Sequence, residues 1–291
     1  RNLAIGYGAY TASDTENDNL AIGYNAMTTN TVGGSENIAI GNYALDANTS
    51  GDRNVALGFH ALGDNNAGIS NTAIGYYTMV SNTGGIDNTA VGRRALMNST
   101  TANDNTSIGM NSLYSNTGSS NTAVGKDALY ANESAANNVA VGYKALTANT
   151  TGTPNTAIGK DAMLANTTAI NNTAVGYLAL DSQTTGNGRN TCIGHQAGSA
   201  LSGGDKNTIL GTSCGEAAVT NSNCTILGYG AEASANNASN EITFGNANIT
   251  AIRSADQSIA ALSDARDKTD VVDLPHGLDF INQTRPVRFK W

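Results

Sequence analysis

The sequence predicts an all-β fold, a parallel β-solenoid of about fifteen coils of about 17 residues. Two observations predict it. The first is a recurring pentapeptide, NTAIG at 155–159 and NTAVG at 88–92, 121–125 and 172–176, with near-copies NLAIG, NIAIG and NVALG. Its closing glycines stand at Gly6, Gly23, Gly41, Gly58, Gly75, Gly92, Gly109, Gly125, Gly142, Gly159, Gly176, Gly194, Gly211, Gly228 and Gly245, and every step is 16, 17 or 18 residues. The second is composition. With 33 glycines, 5% aromatic and 13% charged residues, the chain lacks the Phe, Trp and Leu of a conventional core of its length.

Each repeat opens on a short strand. One place before the glycine the residue is always large and apolar, from Ile5 to Phe244. Two places before it is mostly Ala. Three places before, Leu3, Leu20, Ile38 and Val55 give way to Thr72, Thr89 and Thr122. β-Branched residues ended by Gly read as a strand. Side chains alternate, so positions one and three before the glycine share a face. That face is read as the inward one, which places Ile158 inside and Lys160 in solvent. Leu, Ile and Val in the early repeats of the Thr column argue for the same inward face and against an ice-binding one. The small Ala is read as facing a second backbone.

After the glycine come two variable residues, then Ala with Leu or Met, as in Ala44–Leu45 and Ala162–Met163. A polar stretch rich in Asn, Thr, Ser, Gly and Asp closes the repeat as turn chemistry. Asn precedes the strand in thirteen repeats, Asn2 to Asn207, and a stacked Asn column predicts an amide ladder along the rod. Strands about 4.8 Å apart give a rod roughly 70 Å long. About four apolar side chains per coil make a thin core, which predicts association of several chains.

The remaining chemistry is sparse. A net charge of −8 suits phosphate backbones poorly, so no nucleic-acid partner is expected. No apolar run approaches the roughly 20 residues that span a bilayer, so no membrane insertion is expected. Cys192, Cys214 and Cys224 read as small buried hydrophobes. His60, His195 and His276 lie in different segments, read as surface residues, and match no zinc spacing. No cofactor or metal site is expected. Acids such as Asp14 and Glu16 lie in variable loops without converging, so no enzyme acting on an external substrate is expected. Just after the glycine stand Tyr7, Tyr24, Phe59, Tyr76, Tyr143, Tyr177 and Tyr229, alternating with Arg93, Lys126 and Lys160. Stacking between coils is the first reading of this column, and contact with carbohydrate or protein the second.

The repeats resemble the heads of YadA-like trimeric autotransporter adhesins, whose AIG strand follows Asn or Ser. The resemblance runs over residues 1–245 and implies a homotrimeric, left-handed parallel β-roll with its polar loops outward. The period is longer than in the compact adhesin repeats, so larger outer loops are expected. The organisation read from the chain is a roll over 1–250, a transition segment over 251–262 and a distinct segment over 263–291.

That last segment, with Ser263, Asp264, Arg266 and Lys268 followed by Leu278, Ile281, Pro286, Val287, Phe289 and Trp291, is similar to the opening of the intramolecular chaperone domain of endosialidase-type tailspikes and viral fibres. The resemblance implies trimer templating followed by a single self-cleavage between Leu262 and Ser263, with Ser263 as nucleophile and Lys268 as general base. The chemistry is coherent, because a hydroxyl needs a base in reach and a neutral lysine can serve. Together the resemblances imply a structural trimeric fibre of a virion tail, attaching to a host glycan or protein receptor beside other tail proteins. The alternative is a bacterial adhesin at the cell surface.

Overall fold

In the computed structural model, which describes residues 1–12, 16–30 and 33–251, the chain divides into two compact units, Arg1–Ile249 and Thr250–Trp291. The first unit is a β-solenoid. It has fifteen three-residue strands, β1 (Leu3–Ile5) to β15 (Ile242–Phe244), paired in chain order in one sheet. Fifteen strands bound about fourteen full coils, each one repeat long. There is no helix among the described residues. All pairings are parallel and in repeat register, so that Thr156, Ala157 and Ile158 of β10 (Thr156–Ile158) face Thr173, Ala174 and Val175 of β11 (Thr173–Val175).

The ladder continues beyond the strands. Gly159 N–H donates to Val141 O at 2.7 Å, Asp161 N–H to Tyr143 O at 2.9 Å, and Met163 N–H to Ala179 O at 3.0 Å. Backbone N–H groups early in the turn thus pair with the coil before and those later with the coil after, which satisfies them without a second long strand.

The strand faces are the reverse of the sequence reading. Ala157 is 0% exposed and Ile158 is 39% exposed. The same inversion recurs along the sheet: the Ala column points into the coil, while the Ile/Val and Thr columns point outward. Space is the reason. Each coil is filled by the strand Ala, the Ala three places after the glycine, and the Leu or Met beside it, as in Ala157, Ala162 and Met163. A lumen that takes one large side chain per coil leaves only Ala on the strand side. Ala is therefore small because it opposes its own coil, not a second backbone. Ser107 and Ser112 replace two of these alanines together, and their hydroxyls meet at 2.6 Å.

The turn needs positive φ at three places. Gly159 sits at φ +139°, and a Cβ there would press into the carbonyl of Gly176 in the next coil. Two places on, residues such as Asp161 adopt φ +56°, and the core Leu or Met adopts the same left-handed state, for example Leu45 at +54° and Met163 at +51°. A bulky residue there is strained by about 1–3 kcal/mol, and burial of its side chain offsets that. Coils 12 and 13 relieve the strain differently. Gly198 and Gly215 take the left-handed site, and Ile209 and Ile226 replace Ala on the strand to fill the vacated lumen.

Two amide columns flank the core. The expected one is present: Asn71 donates its N–H to Asn54 Oδ1 at 3.0 Å and its Nδ2 to Gly85 O at 2.7 Å, and its Oδ1 accepts the Asn88 N–H at 3.1 Å. Cys224 ends the column by the same logic, with its N–H on Asn207 Oδ1 and its thiol facing Ala238 O. The second column, seven places after the glycine, comprises Asn30, Asn48, Asn65, Asn82, Ser99, Asn116, Asn132, Asn149, Asn166 and Gln183, all buried. Asn82 Nδ2 reaches Asn65 Oδ1 at 2.7 Å, and Asn166 Nδ2 reaches Asn149 Oδ1 at 2.8 Å. The sequence reading treats these residues as turn chemistry. Their constant offset from the glycine was the available signal.

Asn71→Ala would leave the Asn88 N–H unmet inside the coil, at about 1–3 kcal/mol, and the Gly85 carbonyl with only the longer bond from Asn82 Nδ2 at 3.3 Å. Hydrogen exchange should then show lost protection at Thr72 and Asn88 and none at Thr173. Asn71→Cys, which copies Cys224, should lose less. Uniform loss as far as Thr173 would contradict a coil-local role.

Candidate functional site

The polar columns just after the coil glycine carry most of the exposed chemistry. The rings there stack as the sequence reading expects. Tyr7 and Tyr24 lie 5.6 Å apart at 11°, and Phe59 and Tyr76 lie 5.5 Å apart at 19°. A second ring column, one residue further on, was not read from the sequence because it spans only three coils. Tyr43 stacks on His60 at 5.8 Å, and His60 on Tyr77 at 5.3 Å. Tyr43 also bridges the first column edge-on to Tyr24 and Phe59 where Asn42 interrupts it. His60 is therefore half-buried between two rings, which corrects its reading as a plain surface residue. His195 is exposed and leans on Tyr177.

Further along, lysines alternate with rings. Lys126, Lys144 and Lys160 lie 5.6, 5.3 and 5.7 Å from the centre of the Tyr143 ring, and Lys160 lies 4.8 Å from that of Tyr177. Such contacts attract a cation to the negative ring face, weakly at exposed sites. They let cations stack at coil spacing where like charges alone would repel.

Among the described residues no three acids converge. Glu16 is buried, and its Oε1 accepts the Gly33 N–H at 2.9 Å; Asp14 lies outside the described residues. Among the described residues no group of three His, Cys, Asp or Glu could hold a metal ion, and no helix is long and apolar enough to cross a membrane. The three cysteines are buried and unbridged, as expected from their place in Ala and Asn columns. Burial pushes the Cys192 thiol well up and the Cys214 thiol up to about 11, so neither is a ready nucleophile.

Leu262, Ser263, Arg266 and Lys268 lie outside the described residues, as does His276. Residues 263–291 match the family Peptidase_S74, described as chaperone of endosialidase. The match begins at Ser263, after β15, the last strand among the described residues. Comparisons with curated proteins and with solved structures return no match.

Asp46 is the clearest titrating group beside the ring columns. Burial raises its pKa, and Asp64 adds to the rise, while His60 opposes it. Its Oδ1 is shielded without a hydrogen-bond partner. A carboxyl with a raised folded pKa destabilises the fold when ionised, and the penalty fades as pH falls through the carboxylate range. Asp46→Asn should therefore melt higher than wild type at neutral pH, and the two melting curves should converge in acid. Equal melting temperatures at neutral pH would contradict this.

Proposed function

We propose that the chain is the shaft of a homotrimeric virion fibre, of the tail-fibre or tailspike kind, that attaches to a host surface and matures with a C-terminal intramolecular chaperone. The observation that carries this reading is the endosialidase-chaperone match over 263–291 in a chain whose preceding residues form a long β-solenoid. Its partners would be two further copies of the chain, other tail proteins, and a surface glycan or protein receptor. The adhesin alternative rests on the repeat resemblance alone.

The outward strand face supports the trimer. Ile5, Leu57, Ile108, Ile158, Ile193 and Leu210, one place before their glycines, are all exposed in the single chain and belong to one column along the sheet. A continuous apolar strip of this kind marks an interface. Light scattering should give three times the chain mass. Ile158→Asp should weaken the trimer while each coil stays folded, because position 158 lies outside the lumen, and Lys160→Asp should change neither. A wild-type monomer would sink the assembly, and a monomer showing thermal hysteresis would assign the same face to ice.

The processing step is proposed on the motif. In a precursor that carries the whole chaperone domain, Ser263 would attack the Leu262 carbonyl, Lys268 would take the hydroxyl proton and pass it to the Ser263 nitrogen as the Leu262–Ser263 amide bond breaks, and water would hydrolyse the resulting ester to a Leu262 carboxylate and a free Ser263 hydroxyl. The attack is intramolecular, so one turnover needs no binding step. Mass spectrometry of that precursor should find a cut after Leu262, and Ser263→Ala and Lys268→Ala should each give an uncut trimer. An intact wild type, or a cut that survives Ser263→Ala, would leave residues 263–291 as a folding cap only.

A further inference from the structure

Five places after the coil glycine stand Met97, Tyr114, Tyr130, Thr147 and Leu164. Their backbones are in register, with Ser115 N–H on Tyr130 O at 3.2 Å and Ala131 N–H on Thr147 O at 3.0 Å. Tyr114 and Tyr130 stack with centroids 5.0 Å apart at 11°. Thr147 has no ring, so the stack ends there and the second face of Tyr130 is left uncovered. A shallow, open cavity of about 330 Å³ lies at this step, lined by Tyr130, Thr147, Asn111, Asp127 and Lys144.

Its polar wall is unevenly satisfied. Asn111 Nδ2 donates to Asp127 Oδ1 at 3.0 Å, but Asn111 Oδ1 is shielded from solvent and accepts no hydrogen bond. Asp127 also lies 3.7 Å from Lys126. Lys126, Lys160 and Lys206 each sit beside an aspartate. Lys144 has no such ion pair among the described residues, and its ammonium lies over the Tyr143 ring instead. The depression therefore presents an apolar ring face, a carboxylate and a lysine without an ion pair, on a chain of net charge −8.

We propose that this cavity binds one carboxylate-bearing pyranose of an acidic surface polysaccharide. A pyranose has an apolar C–H face that suits Tyr130, and hydroxyls that can donate to the Asp127 carboxylate. Its carboxylate would pair with Lys144 in a charge-assisted hydrogen bond. The volume lies at the small end of ligand pockets, which fits a single sugar unit. The inference rests on the attachment reading above and gives it a place and a ligand class.

The test is saturation-transfer NMR on the purified chain with the methyl glycosides of galacturonic and glucuronic acid, against those of galactose and glucose. At least one uronide should receive saturation on its ring C–H protons, and its neutral counterpart should bind about tenfold more weakly, the size of one charge-assisted hydrogen bond. Lys144→Met should bring the uronide to the neutral level. Thr147→Tyr should continue the ring stack, keep the wild-type circular dichroism and melting curve, and remove the signal. Saturation of no sugar, equal binding of acid and neutral sugars, or a signal unchanged in Thr147→Tyr would overturn the proposal. Adsorption to host cells reads the attachment function separately. Adsorption without uronide binding removes the site and keeps attachment, whereas uronide binding without adsorption keeps the site and removes attachment.

Discussion

The hydrogen bonds that join each coil to the next are the interaction on which everything else rests. A three-residue strand has too few contacts to persist alone, and a lumen of two alanines and one leucine adds little. What one coil lacks, its neighbours supply, because backbone groups in strand and turn alike find partners one repeat away. That pairing works only in exact superposition. Glycine at position 159 and its equivalents allow the backbones to touch, and the buried amides lock the register from inside.

The sequence carries this axial order plainly and the radial order poorly. The glycines and the thirteen asparagines recur at a period that a reader can count, and parallel in-register strands follow from it. Which strand face turns inward does not follow, since alternation defines two faces without ranking them. The usual preference for burying Ile over Ala pointed the wrong way, because the lumen beside Met163 has room for a methyl group and no more. The inner column of Asn65, Asn82 and their equivalents was hidden for another reason. Asn in a stretch full of Asn, Thr and Ser carries little information until it is counted from the glycine. Of the candidate site, the ring column at Tyr7 and Tyr24 was visible. The cavity at Tyr130 was not, since it exists only where a ring is followed, one coil on, by a threonine.

That contrast divides the labour between positions. Side chains that enter the lumen are nearly invariant from coil to coil, and where one changes, as at Ile209, a partner changes with it at Gly198 and Gly215. Side chains at the turns answer to no such constraint. Tyr, Lys, Arg, His and Asp follow one another there without altering the fold, so the outer columns can be rewritten for recognition while the coil is left alone.

The direction of the backbone hydrogen bonds also has a mechanical meaning. They run along the stacking axis, so under a pull from end to end the coils of the first unit act in series and each carries the whole load. The weakest junction then sets the strength of the stack. The inner amide column ends at Gln183, and in the following coils Leu201 and Ala218 occupy its place. The inner ladder also skips Ser99, whose hydroxyl finds no partner, and stops at Asn166, whose Oδ1 is unmet; junctions from Asn166 onward therefore hold with one side-chain ladder where most earlier ones hold with two, and rupture under tension should begin on that side.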